Sequence, residues 1–199
     1  MKDISDKIYE FLYHGLSLQT VGIIVGLMLI LSHAWALWRA EATQEWLRKL
    51  PRNQSLGTWI LTLDFIWALL VATSMDLGEF ARLRYLAQVA LPLIYLSMLF
   101  YTNDYLGARS VGILACLAAC PILNAAFLQP PQSRAVLAAL CYVWVVFGLF
   151  WIGMPYTLRD QATWVTKSPG RWKTLCLAGI GYGVLVLACA LLFWNSPGS

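Results

Sequence analysis

Apolar residues run through this chain in about six long blocks, with polar and charged positions gathered between them. The blocks cover residues 16–38, 55–75, 85–102, 105–128, 135–158 and 174–194. Each is long enough for one bilayer crossing, which takes about 20 apolar residues in helical form. A bilayer interior leaves helices or closed barrels as the only spanning structures. The blocks are continuous rather than alternating, so helices are expected. The predicted fold is therefore all-α: a polytopic integral membrane helical bundle of about six transmembrane helices in three hairpins. Short connections leave no room for a soluble domain, so residues 1–199 are expected to form a single membrane domain.

Composition agrees. Hydrophobic residues are 60% and charged residues 12% of the chain, and mean hydropathy is +0.66. A soluble domain carries about 25% charged residues. The first ten residues hold Asp3, Asp6 and Glu10, unlike a basic signal-peptide start, so the first apolar block is expected to be retained as a span.

The net charge of +4 is explained by loops, not by nucleic acid. Arg39, Arg48, Lys49 and Arg52 follow span one; Arg159, Lys167, Arg171 and Lys173 follow span five. The opposite face receives Lys2, Lys7, Arg82, Arg84 and Arg134. The positive-inside bias then puts the richer face in the cytoplasm and both termini outside. Trp35, Trp38, Trp59, Trp172 and Trp194 fall at span edges, where indole rings favour the interface.

The two richer loops are alike. RAEATQEWLRKLPRN (39–53) and RDQATWVTKSPGRW (159–172) each open on an arginine with an acid nearby, Glu41 or Asp160. Each sets a tryptophan five residues before a proline: Trp46 before Pro51, Trp164 before Pro169. Both have apolar residues at helical spacing, which predicts short amphipathic helices on the membrane surface. Proline suits the first turn of the helix that follows. A hairpin repeat is therefore expected, relating spans 1–2 to spans 5–6. Its second copy resembles small two-helix bacterial inner-membrane proteins; the resemblance implies a bacterial inner membrane and no activity.

Four of the polar residues inside the blocks are candidates for a role: Asp64, Arg109, His33 and Asn124. A carboxylate at a helix centre costs about 2.5–3.5 kcal/mol on insertion scales. Asp64 falls about 14 Å into its span, Arg109 about 6 Å and His33 about 8 Å from the same face, at the helical rise per residue. One reading is structural, an Asp64–Arg109 pair. The other is a proton or cation relay in which Asp64 titrates, tuned by Arg109 or His33. Asn124 follows Pro121 by three residues and is expected to bond a freed carbonyl.

No cofactor is expected. His14 and His33 are the only histidines, and their placement on or near one helix prevents them from clamping one haem between two helices of the chain, which leaves a His–Met or intersubunit site as the alternative. Cys116 and Cys120 lack further ligands at zinc-site spacing. No catalytic or phosphate-binding motif is present. The five cysteines read as packing residues. Small residues mark helix contacts: Gly22 and Gly26, Gly179 and Gly183, and a stripe at Ala108, Gly112, Cys116 and Cys120.

The first functional expectation is a non-catalytic integral membrane protein, an accessory or scaffolding subunit of a larger membrane complex. Its partners would be the lipid bilayer and other membrane subunits or further copies of itself. The alternative is a small transporter, a proton- or cation-coupled permease using Asp64. A lipid-modifying enzyme ranks third, for want of a nucleophile or metal-binding acids.

Overall fold

A computed structural model describes residues 2–102 and 104–194. Helix α1 (Lys2–Tyr13) precedes the first span, α2 (Leu18–Trp38). The short α3 (Ala40–Lys49) and a 3₁₀ turn (Leu50–Arg52) lead into α4 (Gln54–Ser74). Then come α5 (Arg84–Tyr101), α6 (Leu106–Ala126), α7 (Arg134–Gly153), α8 (Tyr156–Thr166) and α9 (Pro169–Leu192). Among the described residues, six helices are long and apolar enough to cross a membrane, α5 being extended back to Ala81 by a 3₁₀ turn. The chain is an all-α, multi-pass bundle.

Local chemistry sets several ends. Ser17 caps α2, its Oγ accepting from the Thr20 amide at 3.2 Å. Asn53 caps α4 through Oδ1 and the Leu56 amide at 3.0 Å. Pro169 opens α9 at its first turn, whereas Pro51 sits in the 3₁₀ turn ahead of α4. Span five stops at Gly153, not at 158 as expected. Pro155 has no amide proton to continue it and instead caps α8.

The amphipathic surface helices predicted between spans exist as α3 and α8, and they touch each other. Leu50, Ala108 and Leu158 pack beneath their junction. Val165, Trp172 and Cys176 pack beside it, and the Trp172 indole donates to the Ala36 carbonyl at 3.2 Å.

The hairpin pairing differs from the expectation. Span one packs along span six, span four along span five, and span two against spans three and four. Spans one and two are joined through α3 but do not pack along their lengths. A ten-residue helix covers about 15 Å at 1.5 Å per residue, which parts the spans it links.

Glycine decides which faces meet. A Cβ on Gly26 would stand 3.0 Å from the Gly183 carbonyl, so α2 and α9 touch backbone to backbone. The central core is built from α2, α6, α7 and α9, with Val25, Ala119, Leu137, Cys141 and Val186 inside. On this core α4 leans with only Gly57, Leu61 and Asp64 buried. Helix α5, which carries Pro92 in its interior, buries none of its residues.

Candidate functional site

Gly57, Leu61 and Asp64 lie three and four residues apart, so they share the face of α4 that meets α6. This spacing carries the Asp64 carboxyl inward, where 1% of the residue remains exposed. Neither carboxylate oxygen has a hydrogen-bond partner. Such orphaned buried acids are rare and call for a reason.

Asp64 lines a cavity of about 70 Å³ with Leu61, Phe65, Leu91, Tyr95 and Ile113. Phe65 and Tyr95 stack with ring centroids 4.7 Å apart. The Tyr95 hydroxyl is engaged with the Thr62 hydroxyl at 3.0 Å, so it leaves Asp64 alone. Ala68, Leu91 and Ile94 are shared with a larger apolar cleft of about 430 Å³, continued by Val71, Met75 and Leu117. Met75 in turn borders a polar cleft of about 540 Å³ whose walls include Asp6, Glu10, His14, Asp76 and Arg84. Three clefts thus stand in file along α4, each sharing wall residues with the next.

The expected Asp64–Arg109 pair does not form. Gly57 packs on Gly107, where a Cβ would come within 2.7 Å of the Gly107 amide nitrogen. That contact sets the register of α4 on α6. Arg109 then lies level with Trp59, about 7.5 Å short of Asp64 along the axis at 1.5 Å per residue. The Arg109 Nε is buried without a partner.

His33 is elsewhere again. Its Nδ1 lies 2.8 Å from the Leu29 carbonyl, and its ring fills the space over Gly179 in the α2–α9 seam. It is a packed, bonded seam residue and takes no part in a relay with Asp64.

Asn124 does bond a backbone carbonyl, but that of Tyr13, far away in sequence. The Tyr13 hydroxyl accepts from the Trp67 indole at 3.2 Å. Together they moor the end of α1 to α4 and α6. Helix α1 escaped the sequence analysis, which used its acids only against a signal peptide. The signal was there: Ile4, Ile8, Phe11 and Leu12 repeat at helical spacing among charged residues. Replacing Asn124 with leucine should free α1, at a cost of about 0.5–1.5 kcal/mol for the lost, part-buried bond. Limited trypsin digestion should then cut after Lys7 faster than in the parent chain, with the spans intact.

A second cluster was also missed. Arg52, from the turn before α4, and Arg159, from α8, both donate to the Tyr105 hydroxyl, at 3.0 and 2.9 Å. Tyr105 precedes α6 with a left-handed backbone, φ 64°. The repeated loops supply both arginines, and their convergence on one phenol could have been sought there. The Arg52 hydrogen bond, then that of Arg159, holds the Tyr105 phenol below its ordinary 10.0. Its phenolate therefore forms at lower pH than a free tyrosine's. Arg52→Gln should move that titration upward, and Arg159→Gln should move it upward by less. The difference in phenolate absorbance from Tyr105→Phe isolates the signal.

No group of three metal-ligating side chains stands together among the described residues. Comparison with known proteins finds no matching family, no matching curated protein and no matching solved structure. Function must be argued from the site alone.

Proposed function

We propose that the chain is a small membrane carrier coupled to a proton or another cation, with Asp64 as its intramembrane charge site. One observation carries the reading: a fully enclosed carboxyl, without a protein partner, on the wall of a cleft that adjoins others reaching toward one face. An acid so placed is costly in lipid. Were it structural, a donor would be expected beside it. A proton or cation arriving through the clefts supplies the missing partner.

On this reading the lysine and arginine bias turns the α3 and α8 face to the cytoplasm and the termini outward, the membrane being a bacterial inner membrane. The acidic cleft beside α1 then opens to the exterior. The test is flux in sealed proteoliposomes containing a pH-sensitive dye. Parent protein should show saturable, gradient-driven proton or cation movement that Asp64→Asn loses while still reconstituting as a monodisperse species. Equal flux in both would end the carrier reading.

A second reading, an accessory or scaffolding subunit, is favoured by α5. This span buries no residue and rests chiefly on α4, which leaves most of its surface for a partner subunit or a second copy. Purification in mild detergent would then return a stoichiometric complex or oligomer that leucine-to-alanine changes on α5 dissolve.

A further inference from the structure

We infer that the cation received by these clefts is organic: a monovalent ammonium or phosphonium-like ion with a sizeable apolar body. The inference rests on the carrier reading of Asp64 and narrows it to a substrate class.

The walls argue against a small inorganic ion. A hard cation that sheds its water needs several oxygen ligands around it. Among the described residues, Asp64 is the one acidic or basic side chain bordering the two inner clefts. The nearest hydroxyls, Thr62 and Tyr95, are bonded to each other, and Thr62 also donates to the Thr58 carbonyl at 2.8 Å. Thr62 spends its proton on Thr58, so Tyr95 is the donor to it, and one carboxylate with one phenol oxygen is left to replace a hydration shell, fewer oxygens than a hard cation takes.

An organic cation meets what is present. Its charge pairs with the single unpartnered carboxylate. The stacked rings of Phe65 and Tyr95 border the same cavity, and aromatic faces attract weakly hydrated cations. Its body takes the apolar cleft of about 430 Å³, a volume within the range of small-molecule sites.

The outer cleft suits the same ligand. Asp6, Glu10 and Asp76 border it, and such a rim raises the local concentration of cations. Of the opposing groups there, Arg84 donates to the Met75 carbonyl at 2.7 Å and keeps its charge, which offsets one of the three acids and leaves the rim acidic. His14 lies edge-on to Tyr9, 5.9 Å between ring centroids. Head charge, apolar length and acidic mouth follow one another in the order an approaching amphiphilic cation would use.

The experiment is equilibrium binding of radiolabelled tetraphenylphosphonium to the purified full chain in detergent. Saturable binding is expected, weakened about tenfold or more by Asp64→Asn, the loss of one desolvated charge pair. Sodium or potassium at equal ionic strength should not compete beyond choline. Displacement by either alkali ion, or binding indifferent to Asp64→Asn, overturns the proposal.

A variant that fails to fold is bypassed with the parent chain. Labelling of Asp64 by dicyclohexylcarbodiimide, read by mass spectrometry, should slow several-fold under bound tetraphenylphosphonium; unchanged labelling overturns the proposal. Asp64-dependent proton or alkali-ion flux without tetraphenylphosphonium binding would reject the organic class and keep the carrier. Loss of both dependences would reject the two together.

Discussion

Asp64→Leu should make the bundle more stable and, under the proposed carrier function, remove coupled flux. The expected gain is about 3 kcal/mol, the difference between an acid and a leucine near a helix centre on insertion scales. The gain has no offset in lost bonds, since both Asp64 oxygens lack partners. Nor should the leucine clash, because it has the same four side-chain heavy atoms branched at Cγ, and the cavity of about 70 Å³ beside it accepts its bulkier methyl groups. Thermal unfolding in one detergent, with membrane-inserted yield beside it, measures the change. Gaining stability as function disappears marks a residue kept for its chemistry. An acid holding the fold together would behave oppositely. A melting temperature that falls in Asp64→Leu would therefore reveal a structural bond to Asp64 and remove the ground for treating it as a charge site.

What the chain reveals before folding divides along physical lines. Spans are legible because bilayer thickness imposes a length on every crossing. The surface helices α3 and α8 are legible too, since Trp46 and Trp164 sit amid basic residues before a proline. Asp64 stands out because lipid makes any lone acid conspicuous. Pairing between spans is harder, because every apolar helix offers lipid-like surface to every other. Gly26 and Gly183 carried the needed information, but a glycine stripe names a contact face without naming its partner. The Asp64–Arg109 expectation failed for a related reason. The depths in sequence already set Arg109 about 8 Å short of Asp64, close to the register that the Gly57–Gly107 contact fixes; what one dimension could not show is that the Arg109 side chain does not bridge that gap. Convergence of Arg52 and Arg159 on Tyr105 depends on α3 and α8 meeting, a tertiary fact.

The same division bears on mechanism. Helices α2, α6, α7 and α9 form a packed core with Leu137, Cys141 and Val186 wholly buried. The clefts lie outside it, along α4 and α5. Pro92 deprives α5 of one backbone hydrogen bond to the Gln88 carbonyl, and no residue of α5 is buried. Helix motion needed for a carrier would therefore cost least at α5, beside the apolar cleft, while the glycine-packed core stays fixed.

That fixed core supplies the second large effect: Gly112→Leu should separate α6 from α7. A Cβ on Gly112 would lie 2.6 Å from the Gly148 carbonyl, and one on Gly148 2.7 Å from the Gly112 carbonyl. Both obstacles are backbone, so no side-chain rotation relieves them, and the helices themselves must part. Overpacking a well-filled core costs about 1–3 kcal/mol and at times more; leucine at a backbone-contact seam belongs at the upper end. Gly181→Ala is the matched control, because a Cβ there meets nothing within 4 Å, and its effect should stay within about 0.5 kcal/mol. Alanine at both seam positions sharpens the claim. Once the first methyl has forced α6 and α7 apart, the second finds the gap already opened. Gly112→Ala with Gly148→Ala should then cost less than the two single changes added, a departure expected of residues in contact. Strict additivity, or a Gly112→Leu chain that melts with the parent, would mean that these helices do not meet at their glycines.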